Sequence, residues 1–139
     1  MMKVNELYER TAHVLAERVA EALPESIHAV VLYGSVARGA AHRTSDIDVL
    51  LLVDRPDAAR LPVAAIEEEL DATNNYRTFL KSMYFSVADF RRLATTGSRF
   101  AQAILEEGKV LYDDGSFAGI RDEVLAGGQR DAVRREAHV

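Results

Sequence analysis

The chain contains no cysteine. Disulfides and thiolate metal sites are therefore excluded, which fits a reducing compartment such as the cytoplasm. Nor does it contain an apolar run approaching the roughly 18 residues that a membrane span requires. Its opening stretch, MMKVNELYERTAHVLAERV, interleaves charged and apolar residues and does not read as a secretory leader. Positive charge is in deficit: 17 Lys and Arg stand against 22 Asp and Glu, a formal net charge of −5. Sequence-independent nucleic-acid binding usually needs a basic face, so none is expected here. The histidines His13, His28, His42 and His138 are scattered, without the spacing of a zinc site. What remains is an ordinary globular composition, 48% hydrophobic and 28% charged over 139 residues, which suits one domain with one core.

Periodicity divides that domain into short elements. Residues 3–23 place apolar side chains at spacings of three and four, the stripe of an amphipathic helix, stopped by Pro24. HAVVLYG (28–34) reads as a buried strand ending at Gly34, followed by a possible helical turn and a loop. DIDVLLLV (46–53) reads as a second strand, apolar on both faces beyond Asp48 and so central in a covered sheet. DRPDAAR reads as a loop and residues 61–73 as a helix. Residues 77–87 alternate as a third strand, with Phe79, Lys81, Met83 and Phe85 on one face and Ser82 and Tyr84 on the other. A helix capped by Asp89, a second closed by Gly108, a short extended piece and a last helix follow. Together they predict an α/β (α+β) fold, a small mixed β-sheet with helices packed mainly on one face. A single domain is expected over 1–127, with a frayed polar tail over 128–139.

The stretch GSVARGAAHRTSDIDVLLLV carries the chemistry. Asp46 and Asp48, two residues apart on a strand, point to the same face about 7 Å apart. Two bare carboxylates that close repel each other, and each is costly beside an apolar run. A hard cation removes that penalty. Mg2+ favours one or two carboxylates together with substrate phosphates, so a metal-bound triphosphate is the natural ligand. Gly34 and Ser35, ten residues earlier, can offer backbone N–H groups and a hydroxyl to phosphate oxygens. Either half alone is ordinary turn chemistry. Both at this spacing arise by chance in about one chain of this length in several hundred, which favours a functional pair.

Tyr33-Gly34-Ser35 and Asp46-Ile47-Asp48-Val49 resemble, at every position, the signature of the nucleotidyltransferase fold of the DNA polymerase beta superfamily. Arg38-Gly39, Ser45 and the short chain are similar in particular to the minimal nucleotidyltransferases (MNT). Many of those are antitoxins paired with HEPN-domain ribonuclease toxins. The resemblance implies that Gly34 and Ser35 hold nucleotide phosphates and that Asp46 and Asp48 are the catalytic, Mg2+-binding carboxylates. Arg38, Arg43 and Ser45 join them as candidate nucleotide-binding residues. It further implies transfer of AMP from ATP to a hydroxyl, with a tyrosine of a cognate HEPN toxin as the first candidate acceptor. Two alternatives stand beside this: a weak or inactive module that neutralises its partner by stoichiometric binding, and transfer to a small molecule such as an aminoglycoside. Whether the chain assembles with copies of itself or only with a partner is left open.

Many members of that superfamily carry a third carboxylate on the next strand. Here there is no Asp or Glu between Asn75 and Ala88. Asp71 and Asp89 flank the strand and read as caps or solvent groups. Glu67-Glu68-Glu69 reads as a solvated helix face, and His42 as a solvent-exposed loop residue. Lys81 could put an ammonium near the site, but its alternation to the face opposite Ser82 and Tyr84 favours a strand-edge lysine.

Overall fold

The structure, a computed structural model, describes residues 2–137. The chain runs α1 (Val4–Ala22), β1 (Ile27–Tyr33), α2 (Gly34–Ala37), β2 (Ile47–Val53), α3 (Pro56–Thr73), β3 (Leu80–Phe85), α4 (Val87–Thr95), α5 (Arg99–Glu107), β4 (Lys109–Asp113) and α6 (Ser116–Ala137). The strands form one mixed sheet in the order β3-β2-β1-β4. β1 pairs antiparallel with β2 and β4, while β2 and β3 are parallel. A parallel neighbour requires a crossover, and α3 supplies it.

The central strands are buried on both sides, as their unbroken apolar runs predict, and this divides the helices. Val30, Leu32, Val49, Leu51 and Val53 pack with Tyr8, Leu15 and Val19 of α1 and with Val63 and Ile66 of α3. Ala29, Val31, Leu50 and Leu52 face the other way, against Phe90 of α4, Ile104 and Leu105 of α5, and Phe117 and Ile120 of α6. The expected helix layer on mainly one face is therefore a layer on each. Leaving either set of alternate residues in water would forfeit about 1.5–3 kcal/mol for each large side chain.

Element ends differ from expectation for local reasons. α3 starts at Pro56, not at residue 61, because proline is well suited to the first helical turn, where its missing N–H costs nothing. Ser86, rather than Asp89, caps α4: its Oγ accepts from the Asp89 N–H at 3.1 Å. The stretch expected as a tail continues α6 as far as Ala137, while His138 and Val139 lie outside the described residues. Among the described residues no helix is long and apolar enough to cross a membrane.

Candidate active site

β1 ends and β2 begins at the same edge of the molecule, so the two halves of the motif meet although ten residues separate them. Tyr33 and Asp48 are register partners across the β1–β2 ladder. Gly34 follows with φ +76°, in the left-handed region that favours glycine. A Cβ at Gly34 would stand 2.6 Å from Asp48 Oδ2, so only a bare backbone lets the carboxylate lie there. Ser35 sits within α2, a single helical turn whose Val36 and Ala37 anchor it in the core. Asp46 lies just before β2, which starts at Ile47 rather than at Asp46, and is half-buried.

The connecting loop is held from a distance. The Asn5 side chain of α1 donates to the Val36 carbonyl at 3.3 Å and accepts from the Ala41 N–H at 3.0 Å. The Tyr8 hydroxyl reaches the carbonyls of Arg43 (3.2 Å) and Arg77 (3.1 Å). Burial, and then the Asp46 charge, push the Tyr8 phenol above its ordinary range. Nothing in the amphipathic stripe of α1 distinguishes Asn5 or Tyr8 as a brace for this loop.

The expected nucleotide-binding residues fall into three groups. Gly34 lies directly against Asp48, and Ser35 is the next residue of α2. Arg38 and Arg43 are exposed, and Arg38 Nη1 pairs with Glu107 Oε2 of α5 at 3.4 Å. Ser45 holds the loop's shape: its Oγ accepts from the His42 N–H at 3.0 Å, and its own N–H binds the His42 carbonyl at 2.9 Å. His42 is exposed and contacts only Thr44 and Ser45 among the described residues.

Asp46 and Asp48 form a repelling pair in a partly buried setting. Burial raises the Asp48 pKa, and repulsion from Asp46 raises it further, against smaller opposing effects from Lys81 and Arg38. The same burial, followed by the Asp48 charge, pushes the Tyr33 phenol up to about 12. Two repelling carboxylates, a glycine backbone in contact with one of them and a neighbouring hydroxyl form a donor set suited to a hard cation carrying phosphates. Asp46 and Asp48 would hold such an Mg2+. Among the described residues no group of three or more His, Cys, Asp or Glu converges as a metal site.

Of four charged residues read as caps, solvent groups or edge residues, three sit differently and Asp89 does not. Asp71 is buried and functions as neither cap nor solvent group: its carboxylate accepts from Thr78 Oγ1 at 2.7 Å and from the Leu80 N–H at 3.1 Å, fixing where β3 begins. Glu67 is half-buried, with its pKa pushed up to about 7 by burial, and accepts from Ser82 Oγ at 3.2 Å. Ser82 and Tyr84, the register partners of Val49 and Leu51, face α3 and so point away from Asp48. Asp89 is a surface group paired with Arg92 at 3.2 Å. Lys81 is the register partner of Asp48 in the parallel β2–β3 ladder, so it shares the carboxylate's face instead of standing clear of the site.

The family model for Polymerase beta, Nucleotidyltransferase matches residues 17–116, more than half of the chain and all of this site. The chain belongs to that family. No curated protein matches it in sequence. Among solved structures, a toxin–antitoxin structure with AMP-PNP matches at a TM-score of 0.54 and 18% identity, over 90% of this chain and 93% of that one. A mutant of the MntA–HpeT toxin–antitoxin matches at 0.54 and 15%, with the same coverage. A second mutant of that pair matches at 0.51 and 16%, over 88% and 89%. At such identities the likeness is one of fold: this nucleotidyltransferase shares the architecture of those chains.

Proposed function

We propose that this nucleotidyltransferase is an Mg2+-dependent adenylyltransferase of the antitoxin kind, moving AMP from ATP to a tyrosine hydroxyl of a HEPN-domain partner. The observation that carries the reading is the apposition of Gly34 and Asp48, where a Cβ would collide with the carboxylate at 2.6 Å. A turn serving only to connect two strands needs no such approach; a shared cradle for metal and phosphate does. The fold shared with toxin–antitoxin structures, one of which holds AMP-PNP, supports the choice of partner and nucleotide.

In this reading Asp46 and Asp48 hold the cation, and Gly34 and Ser35 orient the phosphate oxygens. Arg38 and Arg43 add positive charge from the exposed loop that Asn5, Tyr8 and Ser45 keep in shape. Mg2+, when bound, would neutralise charge developing on the α-phosphorus and on the departing pyrophosphate. The acceptor oxygen bonds to the α-phosphorus, the bond to the bridging oxygen breaks, and the hydroxyl proton passes to solvent.

Incubation with ATP labelled at the α-phosphate, Mg2+ and the HEPN partner tests this. Label should move to the partner's tyrosine, and Asp46→Asn and Asp48→Asn should abolish the transfer. A second reading, neutralisation by binding alone, draws on the absence of a third acidic ligand beside the pair among the described residues. Neutralisation that persists in both variants would establish it instead.

A further inference from the structure

Lys81 is the second residue of β3 and Asp48 the second residue of β2, and the two are register partners. Parallel neighbours run about 4.8 Å apart, with paired side chains leaving the sheet on the same face. Four residues on, the partners Leu52 and Phe85 both pack into the α4–α6 layer, which fixes that face. Tyr33, Asp48 and Lys81 thus form a row across the site end of three strands. The Lys81 side chain is exposed and makes neither ion pair nor hydrogen bond among the described residues. Lys109, by contrast, is bound to Glu9 at 2.7 Å. An ammonium bound to no other side chain among the described residues therefore stands level with the Asp48 carboxylate.

We propose that Lys81 is a nucleotide-binding residue of this site: its ammonium takes phosphate oxygens from the β3 side and occupies the ground of a second divalent cation, so that one cation binds per nucleotide. The inference rests on the nucleotidyltransferase reading above. Two-metal sites hold their ions about 3.5–4 Å apart and need acidic ligands around both. Asp46 and Asp48 suffice for one Mg2+ that takes its remaining ligands from phosphates and water. On the neighbouring strand, where a further acidic ligand would extend the pair, there is positive charge instead. The ammonium and the Arg38 guanidinium both oppose the rise in the Asp48 pKa.

The test uses the intact protein, AMP-PNP and Mn2+, with nucleotide affinity read by calorimetry and cation stoichiometry by electron paramagnetic resonance. Wild type should bind one Mn2+ per nucleotide. Lys81→Gln should weaken AMP-PNP by about tenfold to a hundredfold at an unchanged melting temperature, since it removes charged hydrogen bonds from an exposed position. Lys81→Arg should restore most of the affinity, and Lys81→Glu should admit a second Mn2+. Two Mn2+ in the wild type, or Lys81→Gln binding within about twofold of it, overturns the proposal. If wild type binds AMP-PNP and Asp48→Asn does not, while Lys81→Gln is unaffected, only the role of Lys81 fails. If wild type binds no nucleotide, the nucleotidyltransferase reading fails, and Lys81's role with it.

Discussion

At the end of the sheet where β1 begins, Asp54 and Asp114 both face His28: Nε2 lies 2.5 Å from Asp54 Oδ1 and Nδ1 lies 2.6 Å from Asp114 Oδ2. Two carboxylates facing the two ring nitrogens favour the imidazolium, so the His28 pKa is raised, by Asp54 first and then Asp114. At the opposite end Asp46 and Asp48 also lie close together, but no imidazolium sits between them, and burial with mutual repulsion drives the Asp48 pKa up. The first end ties β1, β2 and β4 together with charges satisfied inside the chain. The second has no counter-ion between its carboxylates, only the weaker influence of Lys81 and Arg38. Paired aspartates by themselves therefore say little; what distinguishes a fastening from a binding site is whether the chain supplies the counter-ion.

The largest test of that contrast is Asp48→Asn. Transfer of AMP should fall by roughly 100-fold or more, by analogy with removing one electrostatic stabiliser of a developing charge. The same variant should melt no lower than wild type by calorimetry, because it removes a charge that folding disfavours. Next is Gly34→Ala, which forces a Cβ into left-handed backbone and against Asp48. It should cost about 1–3 kcal/mol in denaturant unfolding and abolish nucleotide binding. His28→Ala should have the inverse profile, losing about 1–2 kcal/mol at pH 6 while sparing label transfer.

That loss has a definite pH dependence. A histidine whose folded pKa is raised gives stability that is full below its unfolded value and disappears as pH rises through the folded one. The gap in melting temperature between wild type and His28→Ala should therefore narrow from pH 6 to pH 9. Burial pushes the Asp114 pKa up, but the Ser116 and His28 bonds outweigh it and leave it lowered. Its share of stability is present above the ordinary carboxylate range and is lost as pH falls through the lowered value. The smallest effect should come from Glu107→Gln, which frees Arg38 from an exposed pair and should change unfolding by less than about 0.5 kcal/mol.

The motif was legible in the sequence because its information is local: a glycine, a serine and two aspartates in register with apolar runs. The family followed from the same twenty residues. The strand pairing was not legible, and it decided the most. Alternation alone puts Lys81 opposite Ser82 and Tyr84, but only the parallel register with β2 shows which of those faces carries Asp48. The second helix layer was implied by the two-sided apolar run of β2, though its composition required tertiary contacts. Asp71 and Glu67 looked like surface groups because the partners that bury them, Thr78 with Leu80 and Ser82, lie across a turn on another element.

Asn5 limits how portable the site is. Residues 34–53 look like a cassette that a protein engineer might lift whole into another scaffold, yet the loop inside takes its shape from an amide 31 positions upstream of Val36. A graft lacking that residue and Tyr8 would carry both aspartates but lose the bonds that hold the loop between them and Gly34. The smallest transplantable unit is a helix, two strands and the gap between them, and any library that shuffles this family's motifs should keep α1 with the loop it braces.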